Sequence, residues 1–328
     1  SHIKGFNSHG VIAVKGGEVS PRDIERALDA AKAVAIPLDR EVIHILPQEY
    51  IVDDQRGIAD PMGMAGVRLE VKVHIVTGAV TSAQNIVRSC HKSGLDVSDI
   101  VLESLASAKA VLTEEEREIG VALIDLGGGT CDIAIFANDS IKHTGVLALG
   151  GQNLTNDIAF GLRTPMAAAE KIKIKHGAAI AEMVRPDEYI EVPSVGGREP
   201  RRLSRQVLAE ICEPRMEEIL TLLDQELVRS GLKNMIGAGV VLTGGTALIQ
   251  GCQELGEQVF NLPTRIGYPR NVGGLKDMVN SPKFATAMGL LRFGAEKEGM
   301  EQKFRIRSDG NVFNSILSRM KKWFSEIS

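Results

Sequence analysis

Val121–Phe136 reads VALIDLGGGTCDIAIF. Two apolar runs flank three glycines and a threonine. Runs of this length bounded by glycine read as buried strands. Glycines also let backbone N–H groups close around an anion, because no Cβ stands in the way. The stretch therefore supports two readings, a tight hairpin or a loop that holds phosphate. It matches neither the P-loop pattern nor the G-x-G-x-x-G dinucleotide fingerprint. A second stretch, VVLTGGTALIQG (Val240–Gly251), repeats the arrangement of buried strand and Gly-Gly turn. Two such loops favour phosphate. In that reading Gly127, Gly128 and Gly129 present N–H groups, Thr130 adds a hydroxyl, and Asp125 at the strand end holds Mg²⁺ through water. Gly244 and Gly245 lie flat against a base or ribose. Thr246 then opens toward a helix whose positive end faces the site. No histidine or second carboxylate beside either loop reads as an obvious base, so Asp125 is the single candidate acid and water orienter.

The surrounding composition bounds the fold. The chain has 328 residues, which predicts two or more domains. Aromatics make up 4% and glycine 34 residues, which favours α/β construction over an all-β sandwich. Net charge is −4, against a nucleic-acid partner. Cys90, Cys131, Cys212 and Cys252 form no C-x-x-C pair and read as free cytosolic thiols. No apolar run reaches the roughly 18–20 residues a bilayer span needs. The chain opens on Ser1 in strand-like sequence, which suggests a fragment or a processed N-terminus.

Along the chain, GVIAV (Gly10–Val14) reads as a buried strand. Ser20 and Pro21 open a helix with Ile24, Ala27, Leu28 and Ala31 on one face. REVIHILPQEYIVD and RLEVKVHIVTG are strands, and in the second Leu69, Val71, Val73 and Ile75 alternate with Glu70, Lys72 and His74. A Gly/Pro loop, Gly57–Gly66, lies between them. Thr81 or Ser82 caps the next helix, which Gly94 ends. DIVLESLASAKAVL reads as a strand passing into a helix, and Thr113 with Glu116 as a capping box. Residues 164–235 are mostly helical, broken by a hairpin or turn over Ile190–Ser204, with a helix over Glu210–Arg229 and Pro214 near its start. Ala285–Gly294 is an apolar helix, followed by a polar linker.

LIDLGGGTCDIAIF resembles the second phosphate motif of the actin, sugar-kinase and heat-shock-chaperone ATPase superfamily, and VVLTGGTALIQGCQEL resembles its adenosine motif. AEKIKIKHG (Ala169–Gly177) resembles the helix that brackets adenosine, which implies contacts from Glu170 and Lys173. ATAMGLL resembles the helix joining the two halves. Within the superfamily the chain resembles the FtsA family of bacterial division proteins. SHIKGFNSHGVIAV, VIHILPQEYIVD, GMAGVRLEVKVHIVT, GLRTPMAAAEKIKIKHG and VPSVGGREPRRLSRQVLAEICEPR carry that likeness over nearly the whole chain. The resemblance implies an actin-like ATPase fold, two lobes around a nucleotide cleft, with an inserted α+β subdomain and a C-terminal amphipathic helix. The expected parts are the inserted subdomain at 1–77, the rest of the first lobe at 78–119, and the second-lobe core at 120–162 and 236–294. A helical subdomain at 163–235, a linker at 295–310 and a terminal helix at 311–328 complete the set. The family supplies its first phosphate loop from an N-terminal hairpin, and nothing in Ser1–Gly10 matches it. The implied ATP and Mg²⁺ site is therefore carried only in part.

In the terminal stretch Val312, Phe313, Ile316, Leu317, Met320, Trp323, Phe324 and Ile327 follow helical spacing, with Lys321 and Lys322 beside them. That pattern suits a helix lying in an anionic membrane surface, or one docked on the protein's own core. Arg198, Arg201, Arg202, Arg205 and Arg215 form a basic group, either solvated or a seat for an acidic peptide. The resemblance makes that peptide the C-terminal tail of FtsZ, with Arg215 and Arg201 as contacts. It assigns residues 1–77 to self-association and later division proteins, and places the protein on the cytoplasmic face of the membrane at the division site. ATP turnover in such a protein is weak at most. An ATP-hydrolysing superfamily enzyme and a pilus-type actin-like assembly factor remain as alternatives.

Overall fold

The computed structural model describes residues 2–271, 273 and 279–307. The first part is an antiparallel sheet of β1 (Ile3–Ala13), β2 (Arg40–Val52), β3 (Gln55–Ile58) and β4 (Arg68–Ala79), in the order β1-β4-β2-β3. Helix α1 (Pro21–Lys32) covers one face. Ser20 and Asp23 close a capping box at its start, and buried Ala27 and Ala31 let its backbone approach the sheet. Leu69, Val71, Val73 and Ile75 are all fully buried beneath it, as their alternation requires. GVIAV differs from its expected burial. It belongs to an edge strand, so Gly10 alone of the five is buried and Val11 remains 46% exposed. Helix α2 (Val80–Lys92) starts before Thr81. Ala79 is its N-cap without a side-chain bond, because β4 runs directly into the helix. The expected strand before α3 (Glu103–Val111) is absent: residues 95–102 lie in no ladder.

The second part centres on a five-stranded sheet. After α4 (Glu114–Ile119), capped by Thr113 and Glu116, come β5 (Val121–Leu126), β6 (Cys131–Ala137) and β7 (Ser140–Leu147) as antiparallel neighbours. Strands β10 (Val240–Thr243) and β11 (Thr264–Ile266) add parallel partners, giving the order β11-β10-β5-β6-β7. Every residue of β5 and β6 is buried, which explains why both read as continuous apolar runs. Helices α5 (Gly151–Gly161), α6 (Met166–His176), α7 (Arg205–Arg229) and α8 (Cys252–Phe260) contribute to the core on one face. Helix α3 and the final helix α9 (Ala285–Arg307) cover the other. The hairpin of β8 (Tyr189–Val192) and β9 (Arg201–Ser204) interrupts the helical region. Ser204 caps α7, so this helix begins before Glu210 and Pro214 falls inside it. Helix α9 also runs on through residues that read as linker.

The two parts meet through polar groups and through Leu46 of β2, which packs against the core that holds Phe136 and Ile141. His74, 1% exposed on β4, has Nδ1 2.7 Å from Asn7 Oδ1 and Nε2 2.9 Å from Thr144 Oγ1 on β7. Asn7 Oδ1 can only accept, so Nδ1 carries the proton and Nε2 accepts from the threonine. A side chain at Gly5 would collide with both His74 and Thr144. Gln48 adds a bond from Nε2 to the Ile141 carbonyl at 2.8 Å. Burial, with His143 adding, pushes His74 down to about 4. Its neutral form is the one that fits. The unfolded histidine takes up a proton below about pH 6.5, whereas the folded one resists until about 4. The His74 contribution is therefore complete above pH 6.5 and is lost as pH falls toward 4, to a limit of about 3 kcal/mol. Urea unfolding of wild type and His74→Gln between pH 4.5 and 7.5 checks this: the stability difference between them should shrink toward the acid end. An unchanged difference would remove His74 as the cause.

Candidate functional site

The stretch Val121–Phe136 folds as a hairpin, and its turn meets the second glycine stretch. The Gly127 N–H donates to the Thr130 carbonyl at 3.0 Å, closing the turn between β5 and β6. The Gly127 carbonyl then accepts from the Gly151 N–H at 2.9 Å and from Thr246 Oγ1 at 3.0 Å. The Gln152 N–H donates to the Gly128 carbonyl at 2.7 Å. Two of the free donors at the start of α5 are thereby spent on the loop. The two glycine stretches, more than a hundred residues apart in sequence, touch at one carbonyl oxygen. Gly128, Gly129 and Thr130 remain exposed, and a Cβ on either glycine would meet nothing within 4 Å. Gly245 is nearly as open, whereas Gly244 has φ +87° and packs against Asp125 and Leu126. The glycines thus divide into those that set the turns and those whose backbone faces open space.

The sequence placed no second carboxylate here, and the structure corrects that. The register of β5 against β6 sets Asp125 directly opposite Asp132. Both side chains share one face, and the residues are 4% and 6% exposed. Asp125 accepts from Ser107 Oγ at 2.7 Å, and Asp132 from Thr130 Oγ1 at 3.2 Å. Burial raises the Asp125 carboxyl while the Ser107 and Thr286 hydroxyls oppose the rise. Burial, then repulsion from Asp125, pushes Asp132 up to about 6. Glu103, at the start of α3, is pushed up to about 7 by burial and then by Asp132 and Asp125. Since Glu103 is exposed at the surface, the stability argument rests on Asp132. Asp132 was legible in principle: a four-residue turn after Asp125 and Leu126 makes it the cross-strand partner. Glu103 had no local signal, because α3 reaches the site from another part of the chain.

Lys173 and Glu170 stand behind the loop. Lys173, 8% exposed, donates to the Gly151 carbonyl at 2.9 Å and Thr155 Oγ1 at 2.8 Å, and pairs with Glu170 at 2.7 Å. These contacts use its three protons. Glu170 also accepts from Thr155 Oγ1. In this structure both residues brace α5. Beyond Thr246 a single 3-10 turn (Thr246–Leu248) precedes Gly251, so α8 begins at Cys252, later than the motif suggests. Arg215 lies apart from the cleft on α7, held by Asp157 at 2.5 and 3.2 Å and by Glu218. Arg201 is exposed on β9, where its guanidinium reaches the Leu162 carbonyl. Phe313, Ile316, Leu317, Met320, Lys321, Lys322, Trp323 and Phe324 lie outside the described residues. Among the described residues no helix is long and apolar enough to cross a membrane.

Comparison with known proteins supplies independent findings. Residues 122–289 match the family model described as cell division protein FtsA, and residues 1–77 match the SHS2 domain inserted in FtsA. The chain is 50% identical to the cell division protein FtsA of Pseudomonas aeruginosa, over 98% of this chain and 78% of that protein. It is 41% identical to the Escherichia coli K12 protein of the same name, with the same coverage of each. Among solved structures it is similar to the PilM–PilN type IV pilus biogenesis complex, with TM-score 0.58 and 16% identity over 88% of this chain and 76% of that one. It is also similar to MreB5 of Spiroplasma citri bound to ADP, with TM-score 0.52 and 20% identity over 68% of each chain. The fold is that of the actin-like ATPases.

The acid pair makes a checkable statement about pH. A buried carboxyl raised above its unfolded value favours folding below that value and opposes it as pH rises through the folded one. Asp132→Asn should therefore stabilise the protein at pH 8, by up to about 3 kcal/mol. The gain should vanish near pH 4. Thermal or urea unfolding across that range measures it, and a destabilised Asp132→Asn at pH 8 would contradict the burial argument.

Proposed function

The chain belongs to the FtsA family of cell division proteins, and from that premise we propose that it is a nucleotide-dependent adaptor of the division machinery. It binds ATP with Mg²⁺ and links the FtsZ ring to the inner face of the cytoplasmic membrane. The observation that carries the nucleotide part is the meeting of the two glycine stretches at the Gly127 carbonyl, beside a buried acid pair. The residues present fit the group. Gly128, Gly129 and Thr130 offer open backbone and a hydroxyl to phosphate, and Gly245 offers flat backbone to the nucleoside. Asp125 and Asp132 suit a hydrated Mg²⁺ shared with phosphate. Among the described residues no group of metal-ligating side chains could chelate an ion alone. The bound cation would neutralise charge between the carboxylates and the phosphates.

Lys173 and Glu170 act from behind, holding α5 against the phosphate loop and shaping the adenosine side through Gly151. Arg201 is the better exposed basic contact for the acidic FtsZ tail, because Arg215 already has two carboxylate partners. The inserted sheet serves self-association and later division proteins. The Trp323–Phe324 stripe, with Lys321 and Lys322, anchors the protein to anionic lipid.

A fluorescent ATP analogue titrated with and without Mg²⁺ tests the site. Gly128→Val, which changes an open position, should weaken binding at least about tenfold without loss of fold. Equal binding would refute the phosphate role. Co-sedimentation with anionic liposomes tests the anchor. The whole chain should pellet and a version ending at Gly310 should not, and equal pelleting of both would refute it. Hydrolysis is a second reading, favoured by the raised Glu103 carboxyl beside the acid pair. It predicts ATP turnover that Glu103→Gln lowers at least about tenfold; turnover unaffected by that change would leave nucleotide as a structural ligand.

A further inference from the structure

One carboxylate oxygen joins three separate elements. Ser107, fully buried on α3, donates from Oγ to Asp125 Oδ2 at 2.7 Å. Thr286, in the first turn of α9, lies 2.9 Å from Ser107 Oγ and 3.3 Å from the same Asp125 oxygen. Ser107 has one proton and gives it to the carboxylate. Thr286 is then the donor of its own single proton, to Ser107, Asp125 or Glu103. The helices cross closely here, since Gly289 of α9 lies against the Ala106 carbonyl where a Cβ would collide. Farther along α3, the Leu102 N–H at its N-cap donates to His44 Nε2 of the inserted sheet at 2.9 Å. Helix α3 thus has its middle on the phosphate strand and its start on the inserted sheet.

We propose that Ser107 and Thr286 are positioning residues that couple occupancy of the cleft to α3 and, through the Leu102–His44 bond, to the inserted sheet. This rests on the nucleotide reading of the site. In the dry surroundings of Asp125, a lone pair of Oδ2 that accepts a hydroxyl proton is not free for the water shell of a cation. A hydrated Mg²⁺ arriving with nucleotide competes for the same carboxylate. One state has the carboxylate turned to the helices, the other has it turned to the cleft. A ligand that prefers the second state shifts α3 and α9 by that preference and no more. Removing the hydroxyls leaves the ligand's own contacts in place and erases the difference between the two states.

Amide hydrogen exchange on the full-length protein, with and without Mg²⁺ and AMP-PNP, tests this beside a direct affinity measurement with the same nucleotide. In wild type, nucleotide should change protection across 103–111 and across 40–52. Ser107→Ala and Thr286→Val should bind at least as tightly as wild type, because a competitor for the carboxylate is gone, yet lose at least about half of that change. Thr286→Ser, which keeps the hydroxyl, should restore it. If Ser107→Ala does not fold, Thr286→Val decides, because Thr286 is only partly buried. Variants that bind and transmit like wild type overturn the proposal. So do variants that lose affinity more than about tenfold, since the hydroxyls would then act in binding. Wild type that binds without any change in exchange sinks the coupling alone. Wild type that binds no nucleotide sinks the site reading, and the coupling with it.

Discussion

Asp125 and Asp132 face each other across one hairpin in surroundings that exclude most water. Like charges directly opposed in an antiparallel pair are unfavourable, and burial makes them more so. The neighbouring parts are arranged around that fact. Ser107 and Thr286 bring hydroxyls to Asp125, and Thr130 brings one to Asp132. Position 244 requires glycine twice over, since its φ is +87° and a Cβ there would strike Asp125. A core optimised for stability alone would replace such a pair with apolar side chains. Retaining such a pair is costly unless a positive charge is supplied beside it, which is why buried carboxyls of this kind mark candidate binding sites.

The loop depends equally on what lies behind it. The start of α5 spends backbone donors on Gly127 and Gly128, and Lys173 bonds the Gly151 carbonyl from the opposite side. A buried lysine needs compensation, and Lys173 finds it in Glu170, Thr155 and that carbonyl. The consequence is a hydrogen-bonded rear wall behind open backbone at Gly128, Gly129 and Gly245. Preorganised backbone of this kind meets phosphate at little further ordering cost.

How much of this was legible follows from the range of each interaction. Strands β5 and β6, the turn between them and the second glycine stretch were readable, because local apolar runs and glycines dictate them. The capping boxes at Ser20 and Thr113 were readable for the same reason. GVIAV misled because burial at a sheet edge depends on partners the local sequence does not name. The run DIVL at Asp99–Leu102 misled similarly, since an apolar run becomes a strand only beside another strand. Lys173 and Glu170 were found by resemblance, but their part as braces of α5 needed coordinates. Ser107, Glu103 and Thr286 carry no pattern of their own. They reach the site through the crossing of α3 and α9, a feature set by small residues such as Gly289 and Ala106.

The placement of α3 connects these observations. Its start rests on His44 of the inserted sheet, its middle meets Asp125, and its far end packs in the core shared with α9 and β5. The inserted sheet also meets β7 through hydrogen bonds at His74, Thr144 and Gln48, with Leu46 of β2 packed against the core that holds Phe136 and Ile141. A short helix fastened at one end to the inserted domain and in the middle to β5 ties the two together, because neither attachment can move without loading the other.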